Sequence, residues 1–403
     1  MSRYLSLDLN MLNELIEKYG TPLQIYDGDN IENNAKNFIN VFSENIRNFK
    51  QFFAVKALPN PHILKLLVNC GMGLDCSSLS ELKLADLIGV SGKNIMFTSN
   101  YTSTEDLYEA LKRNVIINLD DINLIDDLYN IEKKLPNELF LRYNPGIGKT
   151  DSETNSNVLG GPNAKFGMDY ETILLAYKKL KDYGVNKIGI HMMTGSNVLD
   201  IDYWDQLIDK LFELLSIINI NSINLGGGIG INYKTGIPIN IQELAQKIGS
   251  KIKEYNINIE NIYMENGRFI TGPYGYLISR CNNVKILYNK RFYGLDACMA
   301  NLMRPGMYNS YHYITILNKD SNLMLANVVG TLCENNDWFA KDRLLPLADK
   351  NDIFIIWDTG AHSHSMGFQY NGKLRCPEIL IYNNKSSLIR RRETFDDYIS
   401  TVV

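Results

Sequence analysis

The sequence predicts an α/β protein: a (β/α)8 barrel over residues 24–273, with a second, all-β domain assembled from 1–23 and 274–403. Three observations carry this. Short apolar runs at 52–56, 73–76, 95–99, 115–119, 139–144, 188–194, 222–226 and 262–265 alternate with segments of helical period. Their number, eight, is the strand count of a closed parallel barrel; a doubly wound open sheet is the competing arrangement, because periodicity does not show closure. After residue 273 the alternation stops, and runs at 275–279, 285–288, 324–330 and 353–358 lie between turns without long helices.

The first twenty-odd residues would pair with that second module, and a helix over 30–42 precedes the first run. Phe52, Phe53, Ala54 and Val55 would bury on both faces of a strand, which Pro59-Asn60-Pro61 then stops. Helices follow at 62–69, 79–87, 104–112, 121–134, 170–182 and 242–255. The clearest is marked by Trp204, Leu207, Ile208, Leu211, Leu215 and Ile218 at steps of one, three and four residues. Residues 145–168 form a loop rich in Gly, Ser and Asn, long enough to be functional.

Composition narrows the classes of function. A chain of 403 residues with 45% hydrophobic and 21% charged residues has the balance of a globular protein with more than one core. A net charge of -4 offers no basic footprint for nucleic acid or an anionic membrane. No apolar stretch reaches membrane-spanning length, and the N-terminal residues show no secretory signal. Six cysteines without a Cys-x-x-Cys pair suit free thiols in a reducing cytoplasm.

In such a barrel, chemistry collects where strands finish. Lys56 ends the first run; an ammonium there would lose water, lowering its pKa toward the range where a neutral amine attacks a carbonyl. Asp75 lies at the second run, His191 to Asn197 close the sixth, Gly226-Gly227-Gly228 the seventh, and Glu265-Asn266-Gly267-Arg268 the eighth. Glycines at a strand end let backbone N–H groups approach a phosphate, although by themselves they are better explained by a tight turn. They do not complete a dinucleotide motif, since Ile231 holds the last glycine position. Gly148-Lys149-Thr150 is no P-loop, because Tyr143 stands where its first glycine belongs. A carboxylate such as Glu265 facing a pyridine nitrogen would keep it protonated, and Arg268 offers a planar fork for phosphate or carboxylate. In the second module, Arg304 and Tyr308 flank a Pro-Gly turn, Cys333-Glu334 follows a strand, and His362 and His364 lie in a small-residue turn. Two histidines without a third ligand at a recognised spacing do not make a metal site.

Taken in order, Ala54-Val55-Lys56-Ala57, Gly226-Gly227-Gly228, Glu265 to Arg268, Arg304 to Tyr308, Cys333-Glu334 and Phe339 to Arg343 resemble the pyridoxal-phosphate-dependent decarboxylases of the alanine-racemase barrel type, and the diaminopimelate decarboxylases most. The resemblance runs from Tyr19 to Leu380. It implies pyridoxal 5'-phosphate as cofactor, joined to Lys56, with Glu265 at the ring nitrogen. Ser196, Gly226, Gly227, Gly228 and Arg268 would surround the phosphate, with Asp75, His191, Met193, Gly267 and His362 also about the cofactor. Arg268, Arg304, Tyr308, Glu334 and His362 would hold the substrate's far end. Cys333, reaching in from the partner of a head-to-tail homodimer with shared active sites, would return a proton after CO₂ is lost; a thiol with a pKa of about 8.5 can do so at neutral pH. Two arginines for one small substrate imply an extra carboxylate, as in meso-2,6-diaminopimelate, whose decarboxylation yields L-lysine in the last step of lysine biosynthesis.

Three positions depart from the family. Met193 replaces the second histidine of His-x-His-x-Gly-Ser, His362 the tyrosine of Gly-Ala-Tyr, and Asn266 the proline of Glu-Pro-Gly-Arg. Other readings therefore stay open: a decarboxylase of ornithine, arginine or carboxynorspermidine, a racemase on the same barrel, or an inactive homologue that binds a partner protein.

Overall fold

The computed structural model describes residues 8–150, 158–255 and 259–403. Part of the Gly/Ser/Asn-rich loop, 151–157, and the N-terminal 1–7 lie outside the described residues. Eight parallel strands form a closed barrel: Phe49–Ala54, Gly73–Cys76, Ile95–Thr98, Ile116–Leu119, Glu138–Arg142, Lys187–His191, Ser222–Asn224 and Asn261–Met264. Closure is made by the eighth strand on the first, with Ile262 opposite Phe49 and Met264 opposite Gln51. That contact excludes the open sheet.

The barrel interior is filled by Phe52, Met96, Ile116, Phe140 and Tyr263, so the enclosed space is a packed core and only the mouth is available for chemistry. Two glycines make room for these rings. A Cβ at Gly73 would lie 2.5 Å from the Phe52 ring, and one at Gly189 2.3 Å from that of Phe140. Gly189→Ala is therefore expected to destabilise the fold by about 1–3 kcal/mol, since neither ring has space to give way. Urea unfolding of the purified variant measures this, and an unchanged midpoint contradicts it.

The barrel helices begin where the sequence supplies caps. Asp27 accepts from Asn30 N ahead of Gly28–Asn45, Asn60 caps Pro61–Asn69, Ser78 caps Leu79–Leu87 and Asn240 caps Ile241–Glu254. One helix is shorter than the 121–134 expected. It spans Leu124–Glu132, because Asp121 accepts from Asn123 N before it and Lys133 is left-handed after it.

The second module centres on the 13-residue strand Gly275–Leu287. It pairs antiparallel with Leu23–Asp27, Ile353–Trp357 and Lys290–Leu295. Leu323–Val329 and Trp338–Pro346 extend the sheet on one side, Glu378–Tyr382 and Lys385–Arg390 on the other. Leu23–Asp27 thus joins this sheet before the chain enters the barrel helices. Helix Leu9–Tyr19, absent from the sequence reading, buries Leu12, Leu15 and Ile16 in a cluster with Ile25, Ile278 and Trp357. Its i, i+3, i+4 spacing was visible in the residues.

Barrel and sheet meet beside the first strand end. Glu378, fully buried, accepts from Asn60 Nδ2 at 3.1 Å, from Tyr26 Oη and from Arg390 Nε. His362 N donates to Ala57 O at 2.9 Å. The sheet therefore grips the segment just after Lys56 at two points, Ala57 and Asn60.

Candidate active site

The first barrel strand ends at Ala54, and Val55–Ala57 form one 3-10 turn closed by Leu58 N donating to Val55 O. Lys56 is the outward member of that turn. Val55 and Ala57 are buried, while the Lys56 side chain stays exposed to a cavity of about 270 Å³ at the barrel mouth. The dehydrated strand-end ammonium expected from sequence is not what the structure holds: the chain turns one residue early, and the amine projects into open space. Ala54, Met193, Ser196, Glu265, Arg304 and His362 share this cavity with it.

The cavity floor is acidic and buried. Glu265 is buried, with His191 Nε2 at 3.0 Å from Oε2 and Asn224 Nδ2 donating to Oε1 at 2.6 Å. Burial alone would push its carboxyl up, but His191, Lys56 and Asn224 together hold it below the usual carboxylate range. Asp75 behaves oppositely. Burial first, and then the Glu265 charge, push its carboxyl well up. Of the two acids, Glu265 thus carries the charge. His191 is wholly buried against Glu265 and Asp75 is buried beside it; neither forms part of the cavity wall. Nearby, at the end of its own strand, Arg142 pairs with Asp120 at 3.2 Å, both buried, and lies 4.6 Å from the Phe166 ring centre.

The neighbouring wall is built of glycine backbone, the Ser196 hydroxyl and the Arg268 guanidinium. Gly226 and Gly228 adopt φ of +66° and +100°, and a Cβ at Gly227 would lie 2.3 Å from Glu265 O. Backbone at this turn therefore packs where no side chain fits. Gly227 N lies 3.0 Å from Met193 Sδ, and Arg268 Nη2 is 3.4 Å from Ser196 Oγ. A Cβ at Gly267 would meet the Ala57 Cβ at 2.6 Å, so this glycine lets the Glu265 turn lie against the Lys56 turn. Asn266 occupies the family's proline position with bonds that proline cannot make. Its Oδ1 accepts from Ile229 N and its Nδ2 donates to Gln51 Oε1, each at 3.3 Å.

The far side comes from the second module. Helix Arg304–Tyr308 brings both its terminal residues to the cavity. Arg304 is buried, and burial lowers its pKa to about 10. Its guanidinium lies 4.4 Å from the centre of the Tyr233 ring, and the Tyr233 hydroxyl accepts from Arg268 Nη1 at 2.9 Å. His362 is left-handed at φ +57°, and burial with the Arg268, Arg304 and Lys56 charges pushes its imidazole pKa well down. A second hollow of about 240 Å³ adjoins this side and shares Ser196, Asn197, Arg268, Arg304 and Tyr308 with the first.

Cys333 and Glu334 are not brought to this cavity by their own chain. Both are exposed on a turn after Leu323–Val329, where Cys333 N donates to Asn371 Oδ1. Buried Asp337 fixes the turn, its carboxylate accepting from Leu332 N and Met299 N. Asn224, Tyr233 and the Arg142–Asp120 pair were missed from the sequence. Asn224 alone left a signal, a polar residue inside the apolar run 222–226. Among the described residues no His, Cys, Asp or Glu cluster is arranged to hold a metal ion, and no helix is long and apolar enough to cross a membrane.

A closed parallel barrel that brings an accessible amine and a charged, buried acid to one mouth defines an enzyme of carbonyl chemistry with a ring-nitrogen cofactor. Similarity identifies the family. The chain belongs to the pyridoxal-dependent decarboxylases: residues 29–272 match the family described as pyridoxal-dependent decarboxylase, pyridoxal binding domain. Protein TabA of Pseudomonas amygdali pv. tabaci is 37% identical over 97% of this chain and 93% of its own length. The diaminopimelate decarboxylase of Methanothermobacter thermautotrophicus is 33% identical over 96% of this chain and 92% of its own. Among solved structures, that of diaminopimelate decarboxylase from M. jannaschii with L-lysine matches at a TM-score of 0.89 and 30% identity, covering 97% of this chain and 94% of that one. The chain is accordingly a carbon–carbon lyase with pyridoxal 5'-phosphate as cofactor.

Proposed function

We propose that this enzyme decarboxylates meso-2,6-diaminopimelate to L-lysine. The observation that carries the substrate is the pair of guanidiniums, Arg268 and Arg304, both held by Tyr233 at one cavity. One matches the cofactor's phosphate and the other a second carboxylate, which ornithine and arginine lack. The relatives named diaminopimelate decarboxylase support the same choice.

The residues present fit the cofactor. Ser196 and Arg268 stand beside glycine backbone at an anion-sized wall, and buried, charged Glu265 faces the cavity from its floor. Bound there, pyridoxal phosphate supplies an aldehyde for the substrate amine and an electron sink for the pair left when CO₂ departs. Lys56 Nζ would anchor that aldehyde. Gly226, Gly227, Gly228, Ser196 and Arg268 would hold the phosphate, and Glu265 would keep the ring nitrogen protonated. His191 and Asp75 act from beneath, through Glu265. Met193 offers its sulfur to a ring face, in place of a second histidine. Gly267 keeps the two strand-end turns in contact. Arg304, Tyr308 and His362 would bind the substrate's far end, with Arg268 between it and the phosphate. All six cysteines are free thiols, in keeping with a reducing cytoplasm.

Cys333 would deliver the proton to the α-carbon, with Glu334 beside it, from a second copy of the chain. Their exposure on a fixed turn away from their own cavity supports a homodimer with shared sites. Cys333→Ala should then lower turnover by about 10²–10⁴-fold. Mixing it with Lys56→Ala should restore about a quarter of wild-type activity, because random re-pairing makes half the dimers mixed, each with one intact site. Recovery of no activity on mixing contradicts the shared site.

Substrate is tested by CO₂ release from meso-diaminopimelate, ornithine, arginine and carboxynorspermidine. Turnover of diaminopimelate alone supports the proposal; equal rates on ornithine would falsify it.

A further inference from the structure

We propose that His312, seated against Tyr233, aims the Arg304 guanidinium and so sets the preference for a substrate whose far end is a carboxylate. The inference rests on the reading of Arg304 as the group that meets that carboxylate. His312 lies between helix Arg304–Tyr308 and strand Ile314–Ile316 and is fully buried. Its Nδ1 is 2.8 Å from Trp357 O, and its Nε2 is 2.9 Å from Arg304 Nη1. A carbonyl can only accept and a guanidinium can only donate, so the ring carries its proton on Nδ1 and offers a lone pair at Nε2. A protonated ring would set N–H against N–H. Burial and the Arg304 charge keep it neutral.

The contact fixes a side chain that has four rotatable bonds and a buried charge. Arg304 Nη1 donates to His312, Nη2 donates to Ser310 Oγ at 3.3 Å, and the plane lies over the Tyr233 ring. Tyr233 is itself backed by the His312 ring, 4.8 Å away, and its hydroxyl accepts from Arg268. With its back edge taken, the guanidinium presents its remaining donors to the cavity it lines. An incoming carboxylate then meets a charge already oriented, and little freedom is lost on binding. His312 lines neither cavity and acts through Arg304 and Tyr233, which do, so it is a positioning residue.

The test compares wild type, His312→Leu and His312→Gln as cofactor-loaded enzymes whose fold is verified by circular dichroism. Glutamine can still accept from Arg304; leucine cannot. In His312→Leu the KM for meso-diaminopimelate should rise about tenfold or more while kcat stays within about threefold. The inhibition constant of L-lysine, which keeps the far carboxylate because CO₂ leaves from the end joined to the cofactor, should rise in parallel; that of 1,5-diaminopentane, which has no carboxylate, should not move, and His312→Gln should recover most of the loss. Calorimetry in a Lys56→Ala background should read the same weakening of diaminopimelate without turnover. Unchanged KM and affinity in His312→Leu overturn the proposal, as does equal weakening of 1,5-diaminopentane, an unmoved L-lysine inhibition constant, or a glutamine variant no better than leucine. If Lys56→Ala itself takes up no diaminopimelate, the substrate reading fails first and visibly, and the inference falls with it.

Discussion

Lys56→Ala should yield a folded protein without the visible absorption band of the loaded enzyme, and with CO₂ release lowered by about 10⁴-fold or more. The structure explains why no neighbour can substitute. Lys56 is the exposed residue of a one-turn bend whose flanking residues are buried, and that bend is gripped by Glu378 through Asn60 and by His362 through Ala57. Asp75, Glu81 and Glu265 are the acids that feel its charge across the strand ends, and among the described residues no second lysine lines the cavity. Borohydride reduction followed by peptide mapping gives a second readout. The wild-type tag should fall on the peptide containing Lys56, and a tag elsewhere sinks the assignment. Stability should change little, since the side chain is already hydrated.

Glu265→Gln should retain the cofactor but lower kcat by about 10²–10³-fold. An amide keeps the shape and can still meet His191 and Asn224, yet it removes the charge that Glu265 keeps despite burial, while Asp75 is pushed toward its neutral form. The removal of that charge should also relieve Asp75, whose carboxyl is held up in part by Glu265, so Glu265→Gln/Asp75→Asn should cost less than the two single losses combined. Spectrally, the cofactor band should shift as the ring nitrogen loses its proton. A variant with wild-type kcat would show that the acid only supports the fold.

The barrel was legible because alternation of apolar strands and amphipathic helices is a local property, repeated eight times. The module after residue 273 was legible for the opposite reason, the loss of helical period. The strand-end residues Lys56, Ser196, Gly228, Glu265 and Arg268 could be ranked once a barrel was assumed, because the fold sends strand ends to one mouth. Helix Leu9–Tyr19 was missed although its period was present, because short N-terminal segments compete with many readings. His312 left no mark at all. A histidine between an arginine helix and a strand reads as surface until the sheet closes over it.

Two conclusions about Lys56 and Glu265 divide along the same line. Residue type and order alone determined that the chain folds as a barrel with a β-rich partner, and which family of reaction it serves; these depend on local pattern and a set of motifs. Tertiary structure alone decided which acid is charged, that Lys56 projects into open space, and that Cys333 lies outside its own cavity. Those are properties of burial and of groups distant in sequence: Glu265 owes its charge to His191, 74 residues away, and Arg304 its aim to a ring anchored on Trp357. Electrostatic energy depends on distance and dielectric, and neither exists until the chain has folded.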